Sequence, residues 1–169
     1  MNGNLKGHYG IQLFNRLEKD STLIKGGHYS FTFPFPATTF KAIYPEYIQA
    51  MGQMYQPFGI LISEPGIYYV TSDIDKGLFT SSEVKGPKSA ELNRRFELDQ
   101  SRTLGEISRV ISDLYGKQWY MISENDPKYE KLQSTRDSLN NLMLVPLIEN
   151  LIKKHPDSYA SAFVLAGAG

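Results

Sequence analysis

The sequence contains no cysteine, and this absence excludes a set of chemistries. Without thiols the chain forms no disulfide, builds no thiolate metal site and has no cysteine nucleophile. An excess of charge of either sign is also lacking, because 18 basic residues balance 18 acidic ones. A balanced charge removes the bulk attraction to phosphate groups, so the composition argues against nucleic acid or an anionic membrane as a partner.

Long hydrophobic runs are also missing. The N-terminal segment contains no apolar stretch of the kind that a secretory signal needs. The most apolar segment, residues 160–166, is far shorter than the ~20 residues that span a bilayer. We therefore expect a chain that is made and kept in the cytoplasm, where proteins without disulfides are the rule.

Residues with the spacing of a catalytic or metal site are lacking as well. The three histidines, His8, His28 and His155, lie far apart, and none stands four residues from another metal-ligating residue. Residues 73–77 resemble the start of a calcium loop, but the glycine comes one position early and no glutamate closes the loop. We therefore expect a non-enzymatic protein with no cofactor and no metal ion.

The first half of the chain has the pattern of a β-rich domain, to which we assign residues 1–85. Residues 28–33 alternate between aromatic and polar side chains, which predicts a half-buried strand that ends at the prolines that follow. Residues 45–54 have apolar side chains at helical spacing. Two apolar arms flank the sequence Ser-Glu-Pro-Gly, which is typical of a type II turn, so we predict a central hairpin over residues 58–71.

Aromatic residues are the most conspicuous excess, with 11 tyrosines and 9 phenylalanines. Aromatic rings provide contact area at interfaces because they are large and lose little conformational entropy. One group of phenylalanines lies in a stretch interrupted by prolines, and it predicts either a protein–protein interface or contacts within the core. The members of this group are Phe31, Phe33, Phe35 and Phe40.

The second half follows a polar segment that contains Gly86-Pro87, and we place a linker at residues 86–94. Beyond it the pattern predicts a β-α-α-β unit over residues 95–146 and a helical C-terminal extension over residues 147–169. The expected fold class is therefore α+β. The whole chain would combine a β-rich N-terminal part, a small mixed unit and a helical tail.

The β-α-α-β prediction depends on four local signals. Residues 96–98 alternate as a short strand does, and Thr103-Leu-Gly-Glu106 is the sequence of a helix capping box. Apolar residues at helical spacing then lead to Gly116, which is the residue that favours a helix C-cap. After a second short helix, residues 142–146 form an apolar run closed by proline, which predicts a buried strand.

These signals together resemble the LysM module. The matching residues are Phe96-x-Leu98, Thr103-Leu104-x-x-Ile107-Ser108, Leu114-Tyr115-Gly116, Trp119-x-x-Ile122 and Leu144-Val145-Pro146. The resemblance implies two helices on one side of a two-stranded antiparallel sheet. It also implies a glycan-binding groove made by Ser101, Arg102, Thr103, Asn125, Asp126 and Pro127. Two family features differ here, because Ser101-Arg102 replaces the usual Gly-Asp pair and residues 139–141 replace the usual Pro-Gly-Gln turn.

Residues 127–140 are left open between a helix and a loop. A competing interpretation is one long helix over residues 127–154, with Asp126 as its N-cap. We expect Pro146 to interrupt such a helix, because proline in a helix interior loses a hydrogen bond and clashes one turn back, at a cost of ~3 kcal/mol. A helix that starts at Pro127 and is followed by a strand satisfies both signals.

The resemblance implies a structural role. LysM-like modules occur in baseplate and tail proteins of contractile-tailed phages, so we expect a subunit of such an assembly, in which the module joins protein to protein. Its partners would be other structural subunits, in a homo- or hetero-oligomer, and it would move from the cytoplasm into the virion. An alternative is a protein that binds N-acetylglucosamine polymers such as peptidoglycan or chitin. A third interpretation is a regulatory binding protein of unrelated α+β fold.

Overall fold

A computed structural model describes residues 10–15, 18–35, 37–45, 58–73, 76 and 78–167. These residues form six β-strands and five α-helices, so the architecture is mixed α+β, as predicted. The chain divides into two compact units, Met1–Arg94 and Arg95–Gly169. We call them unit 1 and unit 2 and describe each by itself.

Unit 1 contains two antiparallel sheets. In the larger sheet the strands follow the order β2-β1-β3-β4, and the smaller sheet pairs β5 with β6. The bounds are β1 (Gly10–Asn15), β2 (Glu18–Leu23), β3 (Thr39–Pro45), β4 (Phe58–Ile62), β5 (Tyr69–Thr71), α1 (Leu78–Ser81) and β6 (Glu83–Lys85).

Strand β4 is the most deeply buried element of unit 1. All five of its residues are buried, which fits an uninterrupted apolar strand that is covered on both faces. It pairs with β3 in a register that sets Ile60 opposite Lys41. The ring of Phe40 lies directly over Gly59, so a Cβ at that position would force this ring to move.

The predicted hairpin over residues 58–71 is wrong, because its two arms belong to different sheets. Strand β4 pairs with β3, whereas β5 pairs with β6. Gly66 does not have the positive φ that a type II turn needs at that position. Instead the Tyr68 hydroxyl closes the bend by donating to the Glu64 carbonyl at 2.7 Å and accepting from the Glu64 N–H at 3.3 Å. Hydrogen bonds between a side chain and the backbone thus replace the backbone hydrogen bonds of a hairpin.

Residues 28–33 have the predicted alternation but do not form a ladder strand. The segment follows a tight turn at Gly26 and Gly27, which have φ values of 57° and 80° and are bracketed by an isolated bridge between Lys25 and His28. From there the chain stays outside the named strands. Of the predicted helix over residues 45–54, Pro45 ends strand β3, and residues 46–54 lie outside the described residues.

The core of unit 1 is closed by a buried arginine. The guanidinium of Arg94 lies 4.9 Å from the ring centroids of Phe58 and Phe79. Arg94 also donates hydrogen bonds to the carbonyls of Ser82, at 2.9 Å, and Phe79. Cation–π contacts of this kind are stronger when they are shielded from water, so Arg94 links the strand core to α1 and β6.

Unit 2 is helical. Helix α2 (Lys88–Tyr115) contains the boundary between the units, and a 3₁₀ turn follows at Trp119–Met121. The other elements are α3 (Tyr129–Leu139), a π-helical segment (Asn140–Leu144), α4 (Val145–Lys154) and α5 (Tyr159–Gly167). None of the helices in the described ranges is long and apolar enough to cross a membrane.

The strand predicted at residues 96–98 and most of the linker predicted at 86–94 are helical, because both lie within α2. Pro87 directly precedes the helix, and its carbonyl accepts from the N–H groups of Ala90 and Glu91. The Glu91 carboxylate accepts from the Gly86 N–H at 2.9 Å. The capping box predicted at Thr103 is therefore wrong, since that residue lies inside the helix. The predicted C-cap is confirmed: Gly116 has a φ of 89° directly after the helix ends.

The strand predicted at residues 142–146 is helical too. The argument from Pro146 was wrong because residues 140–144 form a π turn, in which the Val145 N–H bonds to the Asn140 carbonyl. A π turn inserts an extra residue before Pro146 and gives its ring the room that a regular α-helix denies it.

Residues 95–146, all of them described, therefore contain no strand, so the two strands of a LysM-like sheet are absent there. The helical C-terminal extension is confirmed by α4 and α5.

Candidate functional site

Unit 1 contains a cleft with a volume of ≈ 810 Å³, which lies in the range of small-molecule sites. We call it the aromatic cleft. It has two walls and a floor: one wall is the segment 28–35, the floor is the face of strands β3 and β4, and the second wall is residues 64–71.

The first wall is aromatic because its aromatic residues alternate with residues that face the solvent. Tyr29, Phe31, Phe33 and Phe35 are half-buried and pack against the core of unit 1, whereas the residues between them are exposed. The rings of Tyr29 and Phe31 meet edge to face, with centroids 6.1 Å apart. The packing of its rings therefore holds this wall in place, because its backbone belongs to none of the described strands.

The floor follows from the register of β3 and β4. Directly opposed residues of an antiparallel pair share one face of the sheet, so Lys41 and Ile60 lie on the same face. Ile43 and Ile62 occupy neighbouring positions on that face and line the cleft with them. Three aliphatic side chains and one lysine thus form the base of the cleft.

Lys41 is the unusual member of this set, because a lysine is rarely buried. Its residue is 5% exposed. Its Nζ lies 5.1 Å from the ring centroid of Phe33, so the aromatic wall faces the ammonium and attracts it through the negative face of the ring. A positive charge is therefore held within an otherwise largely apolar surface.

Tyr29 brings a second polar group to the wall. Burial raises the pKa of Tyr29 to about 12, because the phenolate form would lose hydration in this environment. The phenol is thus neutral at physiological pH, and its hydroxyl is able both to donate and to accept a hydrogen bond.

Three of the four predicted interface phenylalanines come together in this cleft. Phe31, Phe33 and Phe35 line its first wall. Phe40 is separate: it is 37% exposed and covers Gly59 on the opposite face of the sheet. The sequence reasoning missed Lys41 and Tyr68, although the alternation of Lys41 with Ile43 in a strand is a signal that both share one face.

The six residues of the implied glycan groove lie on two different elements. Ser101, Arg102 and Thr103 lie on α2, whereas residues 125–127 lie in the loop before α3. Arg102 is paired with Asp99 at 3.0 Å, and the Asp126 carboxylate accepts from the Lys128 N–H at 2.8 Å. Among these described residues, no hydrogen bond joins the two groups.

A second apolar feature lies in unit 2, at helix α5. Most of its residues are apolar, yet Tyr159, Phe163 and Leu165 are 52%, 42% and 60% exposed. A helix that is apolar on all sides is normally covered by protein or lipid. This helix therefore presents exposed apolar surface.

In the described part of the chain, no group of three or more His, Asp or Glu side chains is placed to hold a metal ion. Comparisons of the chain with protein-family models, with curated proteins and with solved structures found no match. The site is therefore interpreted from its geometry and chemistry alone.

Proposed function

We propose that this chain is a non-enzymatic binding protein whose ligand site is the aromatic cleft of unit 1. The supporting observation is the combination of one wall of aromatic rings with an aliphatic floor around a volume of ≈ 810 Å³. Sites for small molecules are typically concave, largely apolar and provided with few polar groups. The aromatic wall and the aliphatic floor of the cleft fit that description. Most of the remaining polar side chains in its lining, such as His28, Ser30 and Glu64, are exposed to solvent.

Binding would gain free energy because apolar surface of both the ligand and the cleft is removed from water. Each Å² of such surface contributes about 25 cal/mol, so a small apolar ligand reaches micromolar affinity after its loss of translational freedom is included. The rings of the first wall pack against the core to which the floor isoleucines belong, so one set of apolar contacts holds wall and floor in place.

The test uses a neutral, environment-sensitive dye such as Nile red and two valine variants of the full chain. Val70→Trp places a large ring in the second wall of the cleft. Val110→Trp makes the same change at a half-buried position on α2 in unit 2 and serves as the matched control. Dye fluorescence is titrated with each protein, and thermal melting shows that each variant is folded.

We expect the natural protein and Val110→Trp to bind the dye with similar affinity, and Val70→Trp to bind about tenfold more weakly. Equal binding by all three proteins would contradict the proposal, since the dye would then lie elsewhere. Absence of binding to the natural protein would contradict it as well.

The second candidate function is a subunit of a larger protein assembly, and helix α5 is the observation that favours it. The exposed rings of Tyr159 and Phe163 and the side chain of Leu165 offer apolar area that a neighbouring subunit would bury. The tail or baseplate role implied by the LysM resemblance is one such assembly. The two strands on which that resemblance depends are helical here, so protein–protein joining is the part of that role that the proposal keeps.

Size-exclusion chromatography with light scattering tests this second candidate over a range of protein concentrations. Assembly through α5 predicts a concentration-dependent oligomer that Phe163→Ser with Leu165→Ser abolishes. The control changes exposed apolar residues away from α5, Tyr120→Ser with Met121→Ser. A monomer at every concentration would count against a homo-oligomer, as would an oligomer that the α5 variant leaves intact.

A further inference from the structure

The first wall of the aromatic cleft contains a phenol whose hydrogen-bonding capacity is unused. The ring of Tyr29 meets Phe31 edge to face and packs against the core of unit 1. In the part of the chain that the structure describes, its hydroxyl makes no hydrogen bond, and burial is the cause of its raised pKa. A polar group that loses hydration without gaining a hydrogen bond is costly, so a ligand that supplies this bond would be favoured.

The Tyr29 hydroxyl is accessible to such a ligand. Tyr29 is half-buried and lines the cleft. Among the described residues, the fully buried side-chain oxygen without a hydrogen bond is Oγ of Ser63, so the Tyr29 oxygen keeps some accessible surface. Tyr68 in the second wall differs, because its hydroxyl is already bonded to the backbone of Glu64. Tyr29 is therefore the tyrosine whose hydroxyl is able to bind a ligand without breaking a bond within the protein.

The rings beside this hydroxyl favour an aromatic ligand over a saturated one. Aromatic side chains stand at every second position of the first wall, from Tyr29 to Phe35. Pairs of aromatic rings attract each other edge to face or offset, and this attraction adds to the effect of the buried area alone. A saturated ligand of the same size would gain only the effect of area.

The charged side chains of the cleft give no reason to expect a charged ligand. Lys41 lies 5.1 Å from the ring centroid of Phe33 and takes part in a further interaction, so its ammonium is already engaged within the protein. His28 and Glu64 are exposed to solvent, where water screens their charges. A charge brought into the apolar part of the cleft would lose hydration, so a neutral molecule fits it better.

From these contacts we propose that the aromatic cleft binds a neutral aromatic molecule that carries one hydrogen-bonding group, such as a hydroxyl. The rings of the ligand pack against the first wall, and its polar group forms a hydrogen bond with the Tyr29 hydroxyl. This inference rests on the proposed function, because it names the ligand class of the same cleft.

The experiment displaces the dye with three neutral two-ring molecules, which are 2-naphthol, naphthalene and decahydro-2-naphthol. Naphthalene lacks the hydroxyl of 2-naphthol, and decahydro-2-naphthol keeps the hydroxyl but is saturated. We call the affinity ratio of 2-naphthol to naphthalene the hydroxyl preference, and that of 2-naphthol to decahydro-2-naphthol the ring preference. Comparing one ratio between two proteins cancels the different solubilities of the ligands in water.

Two variants of the first wall test the two preferences separately. Tyr29→Phe keeps the ring and removes the hydroxyl, so the hydroxyl preference should fall about fivefold, as expected for the loss of a neutral hydrogen bond. Phe31→Leu removes one ring and keeps an apolar side chain, so the ring preference should fall about threefold.

The matched controls make the same two changes at an exposed residue of unit 2. Tyr120, on the 3₁₀ turn, is 68% exposed. Tyr120→Phe should leave the hydroxyl preference unchanged, and Tyr120→Leu should leave the ring preference unchanged. Thermal melting shows that each variant is folded.

The outcomes separate this inference from the proposed function. If the dye binds and Val70→Trp weakens it, but Tyr29→Phe and Phe31→Leu keep both preferences of the natural protein, the cleft is a binding site and the ligand class is wrong. If the hydroxyl preference alone persists in Tyr29→Phe, Tyr29 is not its cause and the inference is overturned. If neither the dye nor any of the three molecules binds the natural protein, both the proposed function and this inference fail.

Discussion

The two units use apolar residues in opposite ways. Strand β4 in unit 1 hides all five of its residues, and among the described residues of that unit four large hydrophobic side chains are exposed. Unit 2 exposes nine large hydrophobic side chains, and its three-residue buried cluster consists of Ile107, Ile111 and Leu132. Unit 1 therefore has an enclosed core beside a cleft. In unit 2 the helices pack through a small buried cluster, and more apolar side chains stay exposed to solvent.

This difference follows from secondary structure. A strand between other layers is covered on both faces, so its apolar residues reach burial together. A helix in a small bundle buries one stripe and exposes the remainder. The comparison supports the proposed ligand site in unit 1 and the proposed protein contacts of unit 2.

The largest expected effect tests the thin core of unit 2. Ile107 is 4% exposed, and Leu104, one helical turn earlier, is 42% exposed. Ile107→Asp should destabilise the protein by on the order of 4 kcal/mol, because it removes a buried side chain and desolvates a carboxylate. Leu104→Asp should cost less than about 1 kcal/mol, since its carboxylate stays in water. Urea unfolding measures both, and equal effects would show that the two residues do not differ in burial.

The next effect tests the enclosed core of unit 1. Phe58 is 0% exposed, and its ring lies 4.9 Å from the Arg94 guanidinium. Phe58→Ala should destabilise the protein by about 3–5 kcal/mol, because a cavity forms and the cation–π contact is lost. Leu142→Ala, at a residue of unit 2 that is 73% exposed, is the control and should change stability by less than about 1 kcal/mol. Similar melting temperatures for the two variants would remove the contrast between the units.

A smaller effect, at high pH, tests the first wall of the cleft. The pKa of Tyr29 is raised to about 12 by burial, while tyrosine in the unfolded chain has a pKa near 10. Between these values the unfolded state releases a proton that the folded state retains. Stability should therefore fall as the pH rises through this window, by about 2 kcal/mol in total. Unfolding followed against pH in the natural protein and in Tyr29→Phe measures this contribution, and identical pH profiles would show that Tyr29 is not buried.

The smallest effect concerns the π segment of unit 2. Pro146 follows the π turn at residues 140–144, which already accommodates its ring. Pro146→Ala should therefore change stability by less than about 1 kcal/mol, whereas a proline that strained a regular helix would release ~3 kcal/mol on removal. Circular dichroism during thermal unfolding reports the change, and a large gain in stability would contradict the relief that we assign to the π turn.

Local periodicity in the sequence was sufficient to place several features. The alternation of residues 28–33 predicted the inward rings of Tyr29, Phe31 and Phe33, and Gly116 predicted the end of α2. The apolar pattern of residues 58–62 predicted one arm of a hairpin, and these residues do form a strand, β4. Each of these features is decided by neighbours in sequence, and for that reason the pattern alone was enough.

The features that were missed depend on distant or unusual hydrogen bonds. The two arms of the predicted hairpin pair with strands far away in the chain, which no local turn sequence reveals. The alternation at residues 96–98 is too short to compete with 28 residues of continuous helix in α2. The strand predicted before Pro146 was wrong because proline is a strong signal for the end of a helix, whereas the π turn that accommodates it has no comparable signal in the sequence. The cleft itself required the register of β3 with β4, which sets Lys41 beside Ile60.

The account depends most on binding within the aromatic cleft, and isoleucine methyl NMR of the full chain tests this directly. Nile red, the neutral dye of the binding test, is titrated into protein labelled at the isoleucine methyl groups. The methyl signals of Ile43, Ile60 and Ile62, which line the cleft, should shift in a saturable way, while those of Ile107 and Ile111 in unit 2 stay fixed. Saturable shifts confined to unit 2, or no shift at the three cleft isoleucines, would contradict the account.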